Sequence, residues 1–126
     1  MPSIKISIKY KYLTSKNDTL KRSATGMFKP DEVKAAQTAI WYRVRGAINA
    51  THCKPFTHDK AWVKIMVYRE RDPNAGGVAD IDPINFLPTI ADAVKQAIRV
   101  DDDVFSSVVD WEVDAEDPRV EITIEQ

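Results

Sequence analysis

Five aspartates fall in two groups on either side of one amphipathic segment: Asp80 and Asp82 within Asp80-Ile81-Asp82-Pro83-Ile84-Asn85, and Asp101-Asp102-Asp103 about twenty residues later. In an extended stretch Asp80 and Asp82 share a face, because side chains alternate with a period of two. Carboxylates gathered together repel one another unless a cation or protons intervene. Their hard oxygen donors suit Mg2+ or Mn2+, which keep several waters and take phosphate oxygens as further ligands. The chemistry this permits is metal-assisted phosphodiester hydrolysis, with hydroxide generated beside a metal and charge steadied on the leaving oxygen. Taken singly, each aspartate reads better as a helix cap or part of a solvated turn. The constellation stands evenly between that reading and a metal site.

Other chemistries find less support. Counted from Asp80, the sixth and twelfth positions are Asn85 and Ala91, which excludes an EF-hand calcium loop. His52, Cys53 and His58 fall short of a tetrahedral zinc set and read as a connection. There is no Gly-rich phosphate loop, so no nucleotide cofactor is expected, and no serine or cysteine sits in a nucleophile motif. Lys5, Lys9, Lys11, Lys16, Lys21, Arg22 and Lys29 are candidates for phosphate contacts, a sequence-independent and salt-sensitive mode of binding. Arg43 and Arg45 are weaker ones, and Trp41, Trp62 and Trp111 read as core or interface residues rather than base-stacking ones.

The net charge of −1 hides a polarity. Residues 1–75 hold fifteen basic against six acidic residues, +9, and residues 76–126 hold three against thirteen, −10. Either two opposed surfaces are summed, or two halves interleave and neutralise each other.

The elements that must position these groups follow from periodicity. Ile4, Ile6, Ile8, Tyr10 and Tyr12 alternate with polar residues as in a half-buried strand, and 14–28 reads as a long basic loop. Pro30-Asp31-Glu32 starts a helix whose stripe is Val33, Ala36, Ile40, Val44 and Ala47, running to about Ala50. Ala61 to Arg69 reads as a central strand buried on both faces. A second helix, carrying Leu87, Ile90, Ala91, Val94, Ala97 and Ile98, starts between Pro83 and Pro88. Ser106 to Val113 and Arg119 to Ile124 are two further strands, which could form a hairpin. The expected fold is α/β of the mixed α+β kind, in β-α-β-α-β-β order, with two helices packed on a mixed sheet.

At 126 residues, with 44% hydrophobic and 29% charged residues, residues 1–126 are expected to form a single domain. No apolar run approaches the ~20 residues of a membrane span, no signal peptide is apparent, and Cys53 stands alone. A cytoplasmic protein is expected, in a bacterial host if the gene belongs to a phage or prophage.

The sequence resembles the RusA family of Holliday-junction resolvases, small endonucleases associated with phages and prophages. Asp80-Ile81-Asp82 stands in the place of the family's Asp-x-Asp motif, Asp92-Ala93-Val94 is similar to its Asp-Ala-Leu segment, and Asp102-Asp103 matches its Asp-Asp at nearly unchanged spacing. Asp82-Pro83-Ile84-Asn85-Phe86-Leu87-Pro88-Thr89 also resembles a branch with Asp-Pro-x-Asn before a Pro-Thr helix start. The resemblance implies a homodimer that binds four-way DNA junctions and makes paired nicks with Mg2+. Carried over by position, Asp80, Asp82 and Asp103 are metal ligands, with Asp102 a supporting or alternative one. The family's helix lysine has no counterpart between Phe86 and Asp92, and Lys95, one turn later, is the candidate substitute. An arginine run before the motif is replaced by Gly76-Gly77-Val78-Ala79. Two rivals are a non-catalytic junction-binding dimer of the same fold and a small metal-binding phage protein that acts through a protein partner.

Overall fold

Strand β1 (Ser3–Lys9) buries Ile4, Ile6 and Ile8 and exposes the residues between them. The same alternation governs β6 (Arg119–Glu125), where Val120, Ile122 and Ile124 are buried, and β4 (Ala61–Arg69), where Ala61, Val63, Ile65 and Val67 are. In this computed structural model residues 2–9, 21–23, 26–28, 31–69 and 87–126 are described. Register turns the alternation into a core. Ile4, Ile124 and Val63 line up across the sheet, as do Ile6, Ile122 and Ile65, and Ile8, Val120 and Val67.

The sheet order is β1-β6-β4-β5, with β5 spanning Phe105–Val113. β6 runs antiparallel to both β1 and β4, whereas β5 runs parallel to β4. Helix α1 (Asp31–Thr51) and helix α2 (Leu87–Ile98) cover one face, α1 with Val33, Ala36, Ile40 and Val44, α2 with Ile90, Ala93, Val94 and Ala97. Each fully buried valine or isoleucine contributes roughly 1.5–3 kcal/mol by leaving water, so this layer dominates the fold's stability. The architecture is a mixed α+β sheet with two helices on it, in the expected order. No helix among the described residues is long and apolar enough to cross a membrane.

Four expectations change. First, the last two strands form no hairpin: β4 lies between them, because α2 returns β5 parallel to β4 and the chain then crosses over the end of β4. Asp114 N–H bonds Arg69 O at 2.9 Å and the Arg119 guanidinium lies 3.7 Å from the Tyr68 ring centroid, which together fasten that crossing.

Second, β4 is central but not buried on both faces. Both helices pack on one side, leaving Trp62 and Lys64 exposed and Met66 and Tyr68 half-buried on the other. Third, the basic loop contains a short antiparallel pair, β2 (Lys21–Ser23) with β3 (Gly26–Phe28). Fourth, the three tryptophans lie outside the core, at 37% exposure for Trp41 and Trp111 and 40% for Trp62, which removes the core reading and leaves the interface one. α2 begins at Leu87, so Pro88 takes the first-turn position where its missing N–H costs nothing.

Candidate metal centre and nucleic-acid interface

The α2 helix ends at Ile98 with Arg99 in the left-handed region, φ 60°, and its N–H bonded to Lys95 O at 3.0 Å. A glycine or asparagine usually takes that position, so a β-carbon there is strained. The chain then turns through Val100, which is buried, into a single 3-10 turn at Asp102–Val104 closed by Val104 N–H on Asp101 O at 3.3 Å. This turn feeds β5 directly and fixes where the second aspartate group stands, at the end of the sheet where β4 begins.

Asp101 and Asp103 are both exposed, and neither side chain has a hydrogen bond or ion pair with another described residue. Lys95, in the last turn of α2, is half-buried. It shares a hollow of about 330 Å³ with His58, Gln96, Arg99, Val100 and Asp101. The structure therefore brings Lys95 and Asp101 together and sets Asp103 two residues on. Asp102 belongs to the 3-10 turn. Asp80 and Asp82 lie outside the described residues, between Arg69 of β4 and Leu87 of α2. In sequence one aspartate group precedes α2 and the other follows it, and the twelve-residue helix between them is about 18 Å long.

Among the described residues no group of three His, Cys, Asp or Glu could hold a metal ion. The zinc alternative thus gains nothing: His52 sits at φ 51° just beyond α1, where Cys53 N–H bonds Ile48 O at 3.1 Å, and the Cys53 thiol donates to Lys54 O at 3.3 Å. His58 is exposed.

Of the candidate phosphate contacts, Lys9 is exposed at the end of β1, in register with Arg119. Lys5 pairs with Glu121 at 3.3 Å. Lys21 and Arg22 belong to β2, paired with Phe28 and Met27 of β3. Lys11, Lys16 and Lys29 lie outside the described residues.

At the other end of β4, Arg69 is 5% exposed, with its guanidinium 4.8 Å from the Trp111 ring centroid. Buried arginines are held by partners, and this one stands immediately before the segment that carries Asp80 and Asp82. Sequence reasoning missed Arg69 and Arg99. The first was hidden at the end of a β-rich run, while the second had one signal, a basic residue directly after the last apolar position of α2.

The family model for endodeoxyribonuclease RusA matches residues 9–125. A search of curated proteins finds no match. Among solved structures the chain is similar to 2C-methyl-D-erythritol 2,4-cyclodiphosphate synthase from Plasmodium vivax, at 10% identity over 98% of this chain and 93% of that one, with a TM-score of 0.35.

Proposed function

The chain belongs to the RusA family of endodeoxyribonucleases, which resolve Holliday junctions, and we propose that it does so through a divalent cation held by Asp80, Asp82 and Asp103. Asp102 is the supporting ligand. The observation that carries this reading is the family match across residues 9–125, a span that holds both aspartate groups. The donor set fits Mg2+, or Mn2+, because every candidate ligand is a carboxylate. Asp103 is exposed and makes no hydrogen bond or ion pair with a described residue, so its oxygens are open to a cation.

When bound, the cation supplies the Lewis acid that activates water and offsets charge at the scissile phosphate. The chain's own part is to hold the carboxylates and to place a fixed positive charge, Lys95, beside them. Lys9, Lys11, Lys16, Lys21, Arg22 and Lys29 grip the phosphates of the junction arms. Two symmetric nicks need two centres, so the active form is a homodimer, with residues 1–126 as one domain of each subunit, working in the cytoplasm, that of a bacterial host if the gene belongs to a phage or prophage.

The test is a labelled four-way junction with Mg2+, beside linear duplex and an Asp82→Asn variant. Paired cuts in the junction alone, abolished by Asp82→Asn, are expected. Binding without cleavage would leave a non-catalytic junction binder, and cleavage indifferent to Asp82→Asn would reject the ligand assignment. Absence of junction binding at low salt would favour action through a protein partner.

A further inference from the structure

Helices α1 and α2 run side by side, tied by Gln37 Nε2 to Asp92 Oδ2 at 2.9 Å and by Arg45 Nη1 to Ala97 O at 3.3 Å. Between the two ties the seam opens to solvent in a hollow of about 470 Å³, lined by Lys34, Gln37, Thr38, Trp41, Tyr42 and Gln96. Trp41 and Tyr42 stand at its wall with ring centroids 5.0 Å apart and planes at 89°, 37% and 66% exposed. Single exposed apolar residues are ordinary. An edge-to-face aromatic pair set beside a cation and three neutral hydrogen-bonding side chains, with no carboxylate among the described residues of the lining, is a more particular combination.

The hollow meets another at one of its lining residues. It shares Gln96 with the hollow that holds Lys95, Arg99 and Asp101. That one shares Arg99 with a third, of about 320 Å³, whose lining includes Arg45 and Lys54. Five cations, Lys34, Arg45, Lys54, Lys95 and Arg99, thus line the three hollows, and among the described residues Asp101 is the one carboxylate in their linings. The first hollow holds the aromatic pair and the second holds Asp101 of the aspartate turn, with Gln96 common to both. Stacking rings, amide side chains able to donate and accept, and a line of positive charge are what an unpaired nucleic-acid strand requires. A second protein copy fits less well, since it would have to bury the Lys34 ammonium and the Gln96 amide and supply a partner for each.

We propose that the α1/α2 seam binds an unpaired stretch of DNA at the branch point, one base stacked on the Trp41–Tyr42 pair and the neighbouring phosphates lying against Lys34 and Arg99. This rests on the junction-cutting reading, for which it supplies a way to hold the strand at the aspartates once base pairing is broken. Trp41 and Tyr42 are positioning residues in this scheme.

The probe is 2-aminopurine, placed at the branch point of a four-way junction or in a single-stranded oligonucleotide, bound by the full chain in EDTA. Wild-type protein is expected to change the branch-point fluorescence. Trp41→Ala is expected to remove that change and weaken binding roughly tenfold to a hundredfold, Trp41→Phe to restore most of it, and linear duplex to bind all variants alike. Sedimentation of Trp41→Ala as the wild-type species, with an unchanged thermal melt, keeps the result tied to DNA. Junction and single-strand binding indifferent to Trp41→Ala would overturn the proposal. So would an altered oligomeric state in that variant, which would make the seam a subunit contact. Single-strand binding that depends on Trp41 without any preference for junctions would sink the junction reading and leave the seam standing.

Discussion

Gln37 Nε2 donates to Asp92 Oδ2 at 2.9 Å, joining the first third of α1 to the middle of α2 across fifty-five positions of sequence. Asp92 belongs to the segment that resembles the family's Asp-Ala-Leu motif, and its carboxylate is engaged in holding two helices together. Gln37 also reaches Thr89 O, at 3.4 Å, so one amide serves two positions of α2.

The part-buried tie makes Gln37 a stability residue. A hydrogen bond to a charged acceptor contributes about 1.5–3 kcal/mol, and Gln37→Ala also leaves the Asp92 carboxylate short of a donor. Urea unfolding should show Gln37→Ala about 1–3 kcal/mol less stable than wild type. Gln37→Ala combined with Asp92→Ala should lose less than the sum of the two single losses.

Thr89 offers the opposite case. It is fully buried in the first turn of α2, and its Oγ1 has no hydrogen-bond partner among the described residues. An unsatisfied buried hydroxyl costs about 1–3 kcal/mol, and valine has nearly the same shape. Thr89→Val should therefore stabilise the protein by about 1 kcal/mol, raising the urea midpoint without changing the slope.

The elements were legible because burial writes itself into period. Val33, Ala36, Ile40 and Val44 marked α1, and the isoleucines of β1 and β6 marked two strands, all at the expected places. Strand order was not legible. Nothing local to Ile122 says that its neighbours will be Ile6 and Ile65, since pairing is chosen by the assembled core. The charge polarity resolves in the same way, at least in the sheet. β6 inserts Glu121 and Glu125 between basic strands, against Lys5 and Lys64, so the two halves interleave there and neutralise each other. Of the candidate site, residue type and spacing gave the aspartates, and the family resemblance gave Lys95. The αL turn at Arg99 and the exposure of Trp41 depend on how α2 ends and on what α1 packs against.

Acid should uncouple the crossing between β5 and β6. Arg119 Nη1 lies 2.8 Å from Asp114 Oδ2, and this hydrogen bond holds the Asp114 carboxyl below its usual value, assisted by the Asp117 N–H and opposed by desolvation. A depressed carboxylate contributes stability above its unfolded pKa of about 4 and loses it as pH falls through the lower folded value. Urea midpoints should show wild type more stable than Asp114→Asn at pH 7. The gap should shrink below about pH 4. A gap that stays constant down to pH 2 would mean the carboxylate's charge is immaterial.

Lys95 has two roles to choose between. It stands in the last turn of α2, where a cation meets the negative end of the helix dipole, a contribution of about 0.3–1 kcal/mol. It also shares a hollow with Asp101, two residues before the proposed ligand Asp103, where a fixed positive charge could stabilise the phosphate during cleavage. A dipole role predicts that Lys95→Ala melts slightly earlier and cuts as before, with Lys95→Arg normal in both respects. A role at the reacting phosphate predicts a single-turnover cleavage rate about 10²–10³-fold lower for Lys95→Ala, with junction affinity nearly unchanged. Lys95→Arg should then be slow as well, because a planar guanidinium does not reproduce a point charge on a four-carbon stem. The expected result is the second pattern, read by quench-flow on a labelled junction. Asp103→Asn run alongside should need more Mg2+ to reach half its maximal rate, which Lys95→Ala should not. A shift in the Mg2+ requirement with Lys95→Ala would place the lysine's effect on cation binding instead.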